Sequence, residues 1–439
     1  MPHHRFTRKN IRLEGASQVE PGRYIAIDLK TFYASVECAD RGLDPFTTNL
    51  IVADPSRGEG TICLAITPAM KAMGIRNRCR VHEIPKGIKY LEVRPRMKRY
   101  MEVSAQIVAI YLQRFSAEDV YVYSVDECLI DAGPYLKLYG KTARQLAQEL
   151  MDDVWRQKRI KATAGVGTNL FLAKVGMDIL AKHSPDCIAE LDQEAFFRRI
   201  WHHRPITDVW GIGPGTARFL ERMGALDLVG VTRLDPQRLR NKFGVNAERL
   251  IDHAYGRDPL TMADIKSYTP KSHSLSQGQV LMRDYRPHEA LVVLKEMIET
   301  ICLSLVQKGL ACAGVALYCR YSWDDLAGPG GFSASQKLAM PTDSRGTLQE
   351  AILRLWEQNI EEERLVRGLN IGLFGLTQGE CAQLSLFDDA QAKEAERKLS
   401  QAEVQIKSKY GAAAIMRGCS LMPCATGQAR ANQVGGHHS

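Results

Sequence analysis

The sequence predicts an α/β protein of the α+β kind, built from mixed sheets covered by helices. Three observations carry that prediction. From Arg23 to about Ile188, strand-like segments alternate with segments of helical spacing, the pattern of a sheet covered by helices. Beyond residue 272 the order reads β-α-β-β-α-β, the split pattern of a small four-stranded sheet with two helices on one face. Between the two, Asp192 to about Arg257 holds short helices, few strand signals and glycine-rich corners. The 439 residues suffice for roughly three domains at ~150 residues each.

Taken in order, residues 1–22 read as an extension with little structure until Pro21-Gly22. Strands are expected over 24–29, 50–53, 61–66, 120–125, 128–131 and 162–167, where β-branched, aromatic and apolar residues concentrate. Helices are expected over 31–40, 95–115, 142–158 and 169–182. In the second of these, Met97, Met101, Val108, Leu112 and Phe115 form the expected core-facing stripe. Residues 266–271, polar with one proline, read as a linker. After it come a strand over 273–282, a helix over 287–308, strands over 314–321 and 332–340, a helix over 347–360 and a strand over 369–376. Past Gln378 the chain turns polar, and residues 425–439 are expected to be disordered.

Composition narrows the class. Hydrophobic content of 45% and charged content of 25% are ordinary for a globular protein. A net charge of +8 suits a polyanionic partner without establishing one, and the basic residues cluster between Arg76 and Arg99. The eleven cysteines are odd in number and contain no Cys-x-x-Cys pair, which argues against a disulfide framework and a structural zinc. No apolar run approaches the ~20 residues of a membrane span, and the polar, basic N-terminus has no signal core. A cytoplasmic protein is expected.

The chemistry concentrates in two acidic segments. Asp126 and Glu127 interrupt strand-like sequence, and adjacent strand residues face opposite sides, so a turn or a metal must gather them. Taken alone, the pair reads best as a hairpin corner. Asp28 ends a second strand just where a helix begins, with Phe32 and Tyr33 in the first helical turn, whose free N–H groups suit a phosphate. Three carboxylates from two strand ends match the needs of paired divalent cations acting on a hydroxyl and a triphosphate.

Ile27-Asp28-x-x-x-Phe32-Tyr33-Ala34-Ser35-Val36-Glu37, together with Tyr123-Ser124-Val125-Asp126-Glu127, resembles the two metal-binding motifs of the Y-family translesion DNA polymerases, most of all the UmuC-like branch. The resemblance runs from Arg23 to about Phe387. It implies an error-prone DNA polymerase of the damage (SOS) response with right-hand architecture. That architecture comprises a ferredoxin-like palm (23–55 and 87–190), small fingers (56–86), a helix-hairpin-helix thumb (191–265) and a βαββαβ little finger (272–378), followed by a tail over 379–439.

The resemblance also implies roles. Asp28, Asp126, Glu127 and the Leu29 carbonyl would hold two Mg²⁺ ions, and Tyr33 would be the steric gate that rejects a ribose 2′-hydroxyl. Ala164-Gly-Val-Gly-Thr-Asn-Leu-Phe-Leu-Ala-Lys174 resembles the next family motif, which makes Lys174 a triphosphate candidate; Lys71 is another, and Phe32 and Tyr33 complete the nucleotide set. The sequence departs from other branches at Lys30, and at Thr67 and Met70, where a tyrosine and an arginine stand elsewhere; Arg57, Lys71 or Arg76 are the substitutes at hand. Gly211, Gly213 and Gly215 look like a hairpin whose backbone approaches a DNA phosphate without reading sequence. Gln383-Leu384-Ser385-Leu386-Phe387 closely matches the peptide by which bacterial polymerases bind the sliding clamp. Primer-template DNA, deoxynucleoside triphosphates and the clamp are the implied partners, and the UmuC-like branch also implies a UmuD-like accessory protein and a recombinase filament. A nucleotidyl cyclase would use a similar palm but leaves the hairpin and the clamp peptide without a role. A non-catalytic clamp-tethered DNA-binding factor would not need the three acids.

Overall fold

Tyr24–Leu29 (β1) is the central strand of a five-stranded sheet, because both its faces are covered and both its edges are paired. The computed structural model describes residues 22–269, 274–323, 330–378, 390–434 and 436–438. Residues 1–21 of the N-terminal extension, residues 270–271 of the linker and the clamp-type peptide Gln383–Phe387 therefore lie outside the described residues. The chain divides into two compact units, Met1–Tyr268 and Thr269–Ser439.

In the first unit, the strands are β1, Leu50–Val52 (β2), Ala65–Ile66 (β3), Leu91–Val93 (β4), Val120–Val122 (β5), Glu127–Asp131 (β6), Ala162–Gly167 (β7) and Ile188–Leu191 (β8). The large sheet has the order β5-β6-β1-β7-β8. β1 runs antiparallel to both β6 and β7, and β8 lies parallel to β7. Alternation along β1 sends Ile25, Ile27 and Leu29 into the main core, while Tyr24 and Ala26 face a second apolar cluster with Leu129, Leu170 and Ala173. The main core is completed by Phe32–Asp40 (α1), Met97–Tyr111 (α3), Gly133–Tyr139 (α4) and Ala143–Lys158 (α5).

Two expectations needed correction here. Of the stripe expected on α3, Phe115 is buried and Met97 and Val108 pack against the core, but Met101 and Leu112 are exposed and Tyr100, Val103, Ile107, Ile110 and Tyr111 fill the core instead. The buried face is rotated slightly from the expected one, so that the two residues at its far edge reach solvent. The strand expected over 120–125 stops at Val122, because residues 124–126 make the hairpin bend and the Tyr123 and Ser124 N–H groups both donate to the Glu127 carbonyl (2.9 and 3.1 Å).

A three-stranded sheet, β3-β2-β4, carries the short helix Pro68–Ala72 (α2) and a small core of its own around Ile51, Ile66, Met70 and Ile84. β4 was not expected; its three residues are too few to show a period. Leu170–Val175 (α6) continues through one π-helical turn, Gly176–Leu180, so the single helix expected over 169–182 is interrupted. Helices from Gln193 to Ala254 then pack around Phe196, Leu220 and Leu239, in one cluster with Phe171 and Val175 of α6, while Met262 of the next helix joins the cluster of Tyr24 and Ala26. Lys266 and Ser267 end the helix Met262–Ser267 and so are not linker.

The second unit has the expected order: strands Ser274–Tyr285 (β9), Leu310–Tyr321 (β10), Gly331–Thr342 (β11) and Val366–Gln378 (β12), with helices Pro287–Gln307 and Arg345–Asn359. The sheet order is β11-β10-β12-β9, all antiparallel. The described residues among the last fifteen contradict the expected disorder, and the polar stretch before them is structured as well. Ala390–Tyr410 is a helix whose Glu403, 6% exposed, pairs with Arg345 and Arg417 (both 3.1 Å). Beyond it, the N–H groups of Thr426 and Gly427 donate to the Glu296 carboxylate (2.9 and 3.0 Å). A polar sequence is ordered here because its backbone donors find a carboxylate. Among the described residues, no helix is long and apolar enough to cross a membrane.

Candidate active site

Strand register brings the acids together. Asp28 and Glu127 are paired residues across β1 and β6, and antiparallel partners lie ~4.5–5.5 Å apart at Cα. The Leu29 N–H donates to the Asp126 carbonyl at 2.9 Å, which seats the bend beside the end of β1. The Asp126 N–H turns to Ser124 Oγ (3.3 Å). A turn, then, gathers the adjacent acids.

Electrostatics mark the same place. Burial pushes the Asp28 carboxyl up to about 7, and repulsion from Asp126 and Glu127 adds to it, while Lys182 and Lys174 oppose. Lys174, 4% exposed, donates to Glu127 Oε1 (3.1 Å) and lies 2.8 Å from Asp178 Oδ2. Burial alone would lower its ammonium, but Asp178 and Glu127 outweigh burial and raise it. Lys71, at the end of α2, is lowered by desolvation and by repulsion from Lys182 and Lys30, with Asp28 opposing.

The donor set is hard oxygen, which suits Mg²⁺ rather than a soft metal. Among the described residues no three acids, histidines or cysteines already converge on one point. Ser124 Oγ donates to Asp126 Oδ1 (2.8 Å) and Lys174 holds Glu127, so both carboxylates are engaged by protein donors. The residues fit the ions by chemistry and by strand register, with side-chain rotations still to make.

Glycine placement explains why Lys174 sits there. A Cβ on Gly165 of β7 would lie 2.0 Å from the Ala173 carbonyl oxygen, and one on Gly167 would lie 2.3 Å from the Ala173 nitrogen. Only glycine lets α6 lie this close against the strand. Asn169 caps α6, its Oδ1 accepting from Leu172 N (2.8 Å).

Other expected residues divide. Tyr33 is half-buried, and its hydroxyl is raised by burial and by Asp126, with Arg78 opposing. The Phe32 side chain is 3% exposed in the core, so only its backbone is left for a nucleotide. Thr67 and Met70 are fully buried; Thr67 Oγ1 donates to the Thr48 carbonyl (2.8 Å), so neither faces a triphosphate. Arg57 lies against Asp54 (3.4 Å). Gly211, with φ of +88°, Gly213 and Gly215 are exposed at the start of Pro214–Arg222, where Gly213 is the N-cap and supplies no side chain to cover the first amides. Trp210 Nε1 donates to the Tyr123 hydroxyl (3.2 Å), tying this turn to the acidic bend. Sequence reasoning missed Asp178 and Lys182. Their spacing of four and eight residues from Lys174 along a helical stretch was the available signal.

Residues 27–178 match the impB/mucB/samB family, and residues 272–386 match the C-terminal domain of the same family. A putative UV-damage repair protein UvrX of Bacillus subtilis (strain 168) is 31% identical over 442 residues, covering 99% of each chain. The chain belongs to the Y-family translesion DNA polymerases. A DNA polymerase IV 2 of the same organism is 32% identical over 420 residues, covering 94% of this chain and 98% of that one. Among solved structures, a Y-family DNA polymerase chimera has a TM-score of 0.63 at 18% identity, covering 80% of this polymerase and 98% of the chimera, a likeness of fold.

Proposed function

We propose that this polymerase adds deoxynucleotides to a primer 3′-hydroxyl by a two-metal mechanism, on templates that include damaged ones. The observation that carries the reading is the pairing of Asp28 with Glu127 across β1 and β6, with Asp126 in the adjoining bend. Asp28, Asp126, Glu127 and the Leu29 carbonyl would hold two Mg²⁺ ions. Bound there, such ions supply Lewis-acid stabilisation of the ionised 3′-hydroxyl and of the charge developing at the α-phosphate. The raised Asp28 carboxyl supports this, since mutual repulsion of buried acids is the condition that a divalent cation relieves. Lys174 shields Glu127 until the nucleotide arrives and then turns to the triphosphate, with Asp178 retaining it near the site. Lys71 and Lys182 add positive charge on the Asp28 side.

In this reading the large sheet is the palm, the small β2–β4 module carries the fingers, the helices after Gln193 are the thumb and the second unit is the little finger. The Gly211–Gly215 turn holds a DNA phosphate through backbone amides. The fingers, with one five-residue helix and a small core, enclose the nascent pair loosely, which makes synthesis error-prone. Gln383, Leu384, Leu386 and Phe387 dock the sliding clamp, in a stretch bounded on both sides by structured elements, β12 and the helix Ala390–Tyr410. Primer extension tests the reading. Replacing Asp126 and Glu127 by alanine should abolish extension while primer-template affinity stays within a few-fold; loss of both together would make the acids structural.

A further inference from the structure

Behind the Tyr33 ring lies a second aromatic that the polymerase reaction as described does not use. Tyr33 stacks on Tyr100, with ring centroids 4.5 Å apart and planes within 17°. Tyr100 comes from α3 and is fully buried, and its hydroxyl donates to Glu37 Oε1 at 2.7 Å. Glu37 stands one helical turn after Tyr33 on α1 and is itself fully buried. Arg96 closes on it as a fork, Nε to Oε1 and Nη2 to Oε2, both at 2.9 Å, and Arg41 donates to Oε2 as well. Arg96 also holds Asp40 (2.7 Å), which Arg99 grips with two bonds (3.0 and 2.7 Å).

A buried carboxylate is costly unless every oxygen is satisfied, and this one is satisfied by Arg96, Arg41 and Tyr100 together. Burial would raise the Glu37 carboxyl, but the bonds from Arg96, Tyr100 and Arg41 outweigh it and hold the group below its usual range. Glu37 stays an acceptor, so the Tyr100 hydroxyl stays a donor and the far end of its ring is anchored. Bidentate guanidinium pairing adds geometric rigidity to the same end.

We propose that Tyr100, held by Glu37 and Arg96, is a positioning residue that sets sugar selectivity by backing the Tyr33 ring. The proposal rests on reading Tyr33 as the steric gate. A gate rejects a ribonucleotide only if the ring cannot retreat when a 2′-hydroxyl presses on it. Here retreat is blocked by the flat face of Tyr100, whose own hydroxyl is anchored at the far edge.

The test is single-nucleotide incorporation by the full chain, with kcat/KM measured for a deoxynucleotide and its matching ribonucleotide. Tyr100→Leu should raise the ribo-to-deoxy ratio about tenfold, the worth of a good aromatic stack. Tyr100→Phe keeps the plate and frees its edge, and should raise the ratio about threefold. Tyr33→Ala should raise the ratio more than either, and adding Tyr100→Leu to it should change the ratio no further. An unchanged ratio in Tyr100→Phe and in any folded Tyr100→Leu, with Tyr33→Ala still permissive, overturns the proposal and leaves the gate reading intact. A further rise in the Tyr33→Ala background also overturns it, because Tyr100 would then act through the fold. An unchanged ratio in Tyr33→Ala overturns the gate reading itself.

Discussion

Asp28 shows how a single side chain can be unfavourable for the fold and needed for the chemistry. Its carboxyl, ordinarily ionised above pH 4, is raised to about 7 in the folded protein by burial and by repulsion from Asp126 and Glu127. Between those values the folded state binds more protons than the unfolded state, so stability falls as pH rises through the window and stays lowered above it. Without divalent ions, Asp28→Asn should therefore raise stability at pH 8, by on the order of 1–3 kcal/mol, and change little at pH 4. Thermal melts in chelator read this directly. Added Mg²⁺ should raise the melting temperature of the natural chain at pH 8 and not that of the variant. The three acids could be singled out in the sequence because two motifs far apart along the chain agree in order and context with one family, and Lys174 because its segment resembles the next motif; taken alone, Asp126 and Glu127 read as a hairpin corner. Tyr100 could not, since a tyrosine on an apolar helix face looks like any core aromatic until its hydroxyl partner is seen.

At the scale of elements, the site depends on how closely α6 lies against β7. Gly165→Ala would drive a methyl group into backbone atoms, the Ala173 oxygen and the Met177 nitrogen, neither of which belongs to a flexible side chain. Overpacking of this kind typically costs about 1–3 kcal/mol, and the displaced helix takes Lys174 away from Glu127. We expect a lower urea midpoint together with a reduced extension rate; a stable variant with unimpaired extension would show that this approach is not required. The βαββαβ order and both central strands were readable from period and turn signals. The edge of the buried face of α3 was not, because Met101 and Leu112 offered an equally apolar alternative to Tyr100, Val103 and Ile107. Nor was the π-helical turn after Val175, which depends on tertiary packing around Met177.

For the molecule as a whole, the residues after 390 are structural in the second unit. Sequence polarity suggested a tail disordered at its end, yet Glu296, Glu299 and Arg345 bind it through charged and backbone partners. Ending the chain at residue 389 should lower the melting temperature of the second unit by several degrees, on the scale of a ~1–2 kcal/mol loss. An unchanged calorimetric profile would restore the tail interpretation. The central claim concerns the other unit: three acids, separated by nearly a hundred residues of chain, form one site for two divalent ions. Counting bound Mn²⁺ by paramagnetic resonance, with primer-template DNA and a non-hydrolysable deoxynucleotide present, tests it most directly. The account predicts about two tightly held ions for the natural chain, the number such sites require, and loss of tight binding in Asp28→Asn and Asp126→Asn. Equal counts in the natural chain and in both variants would contradict it.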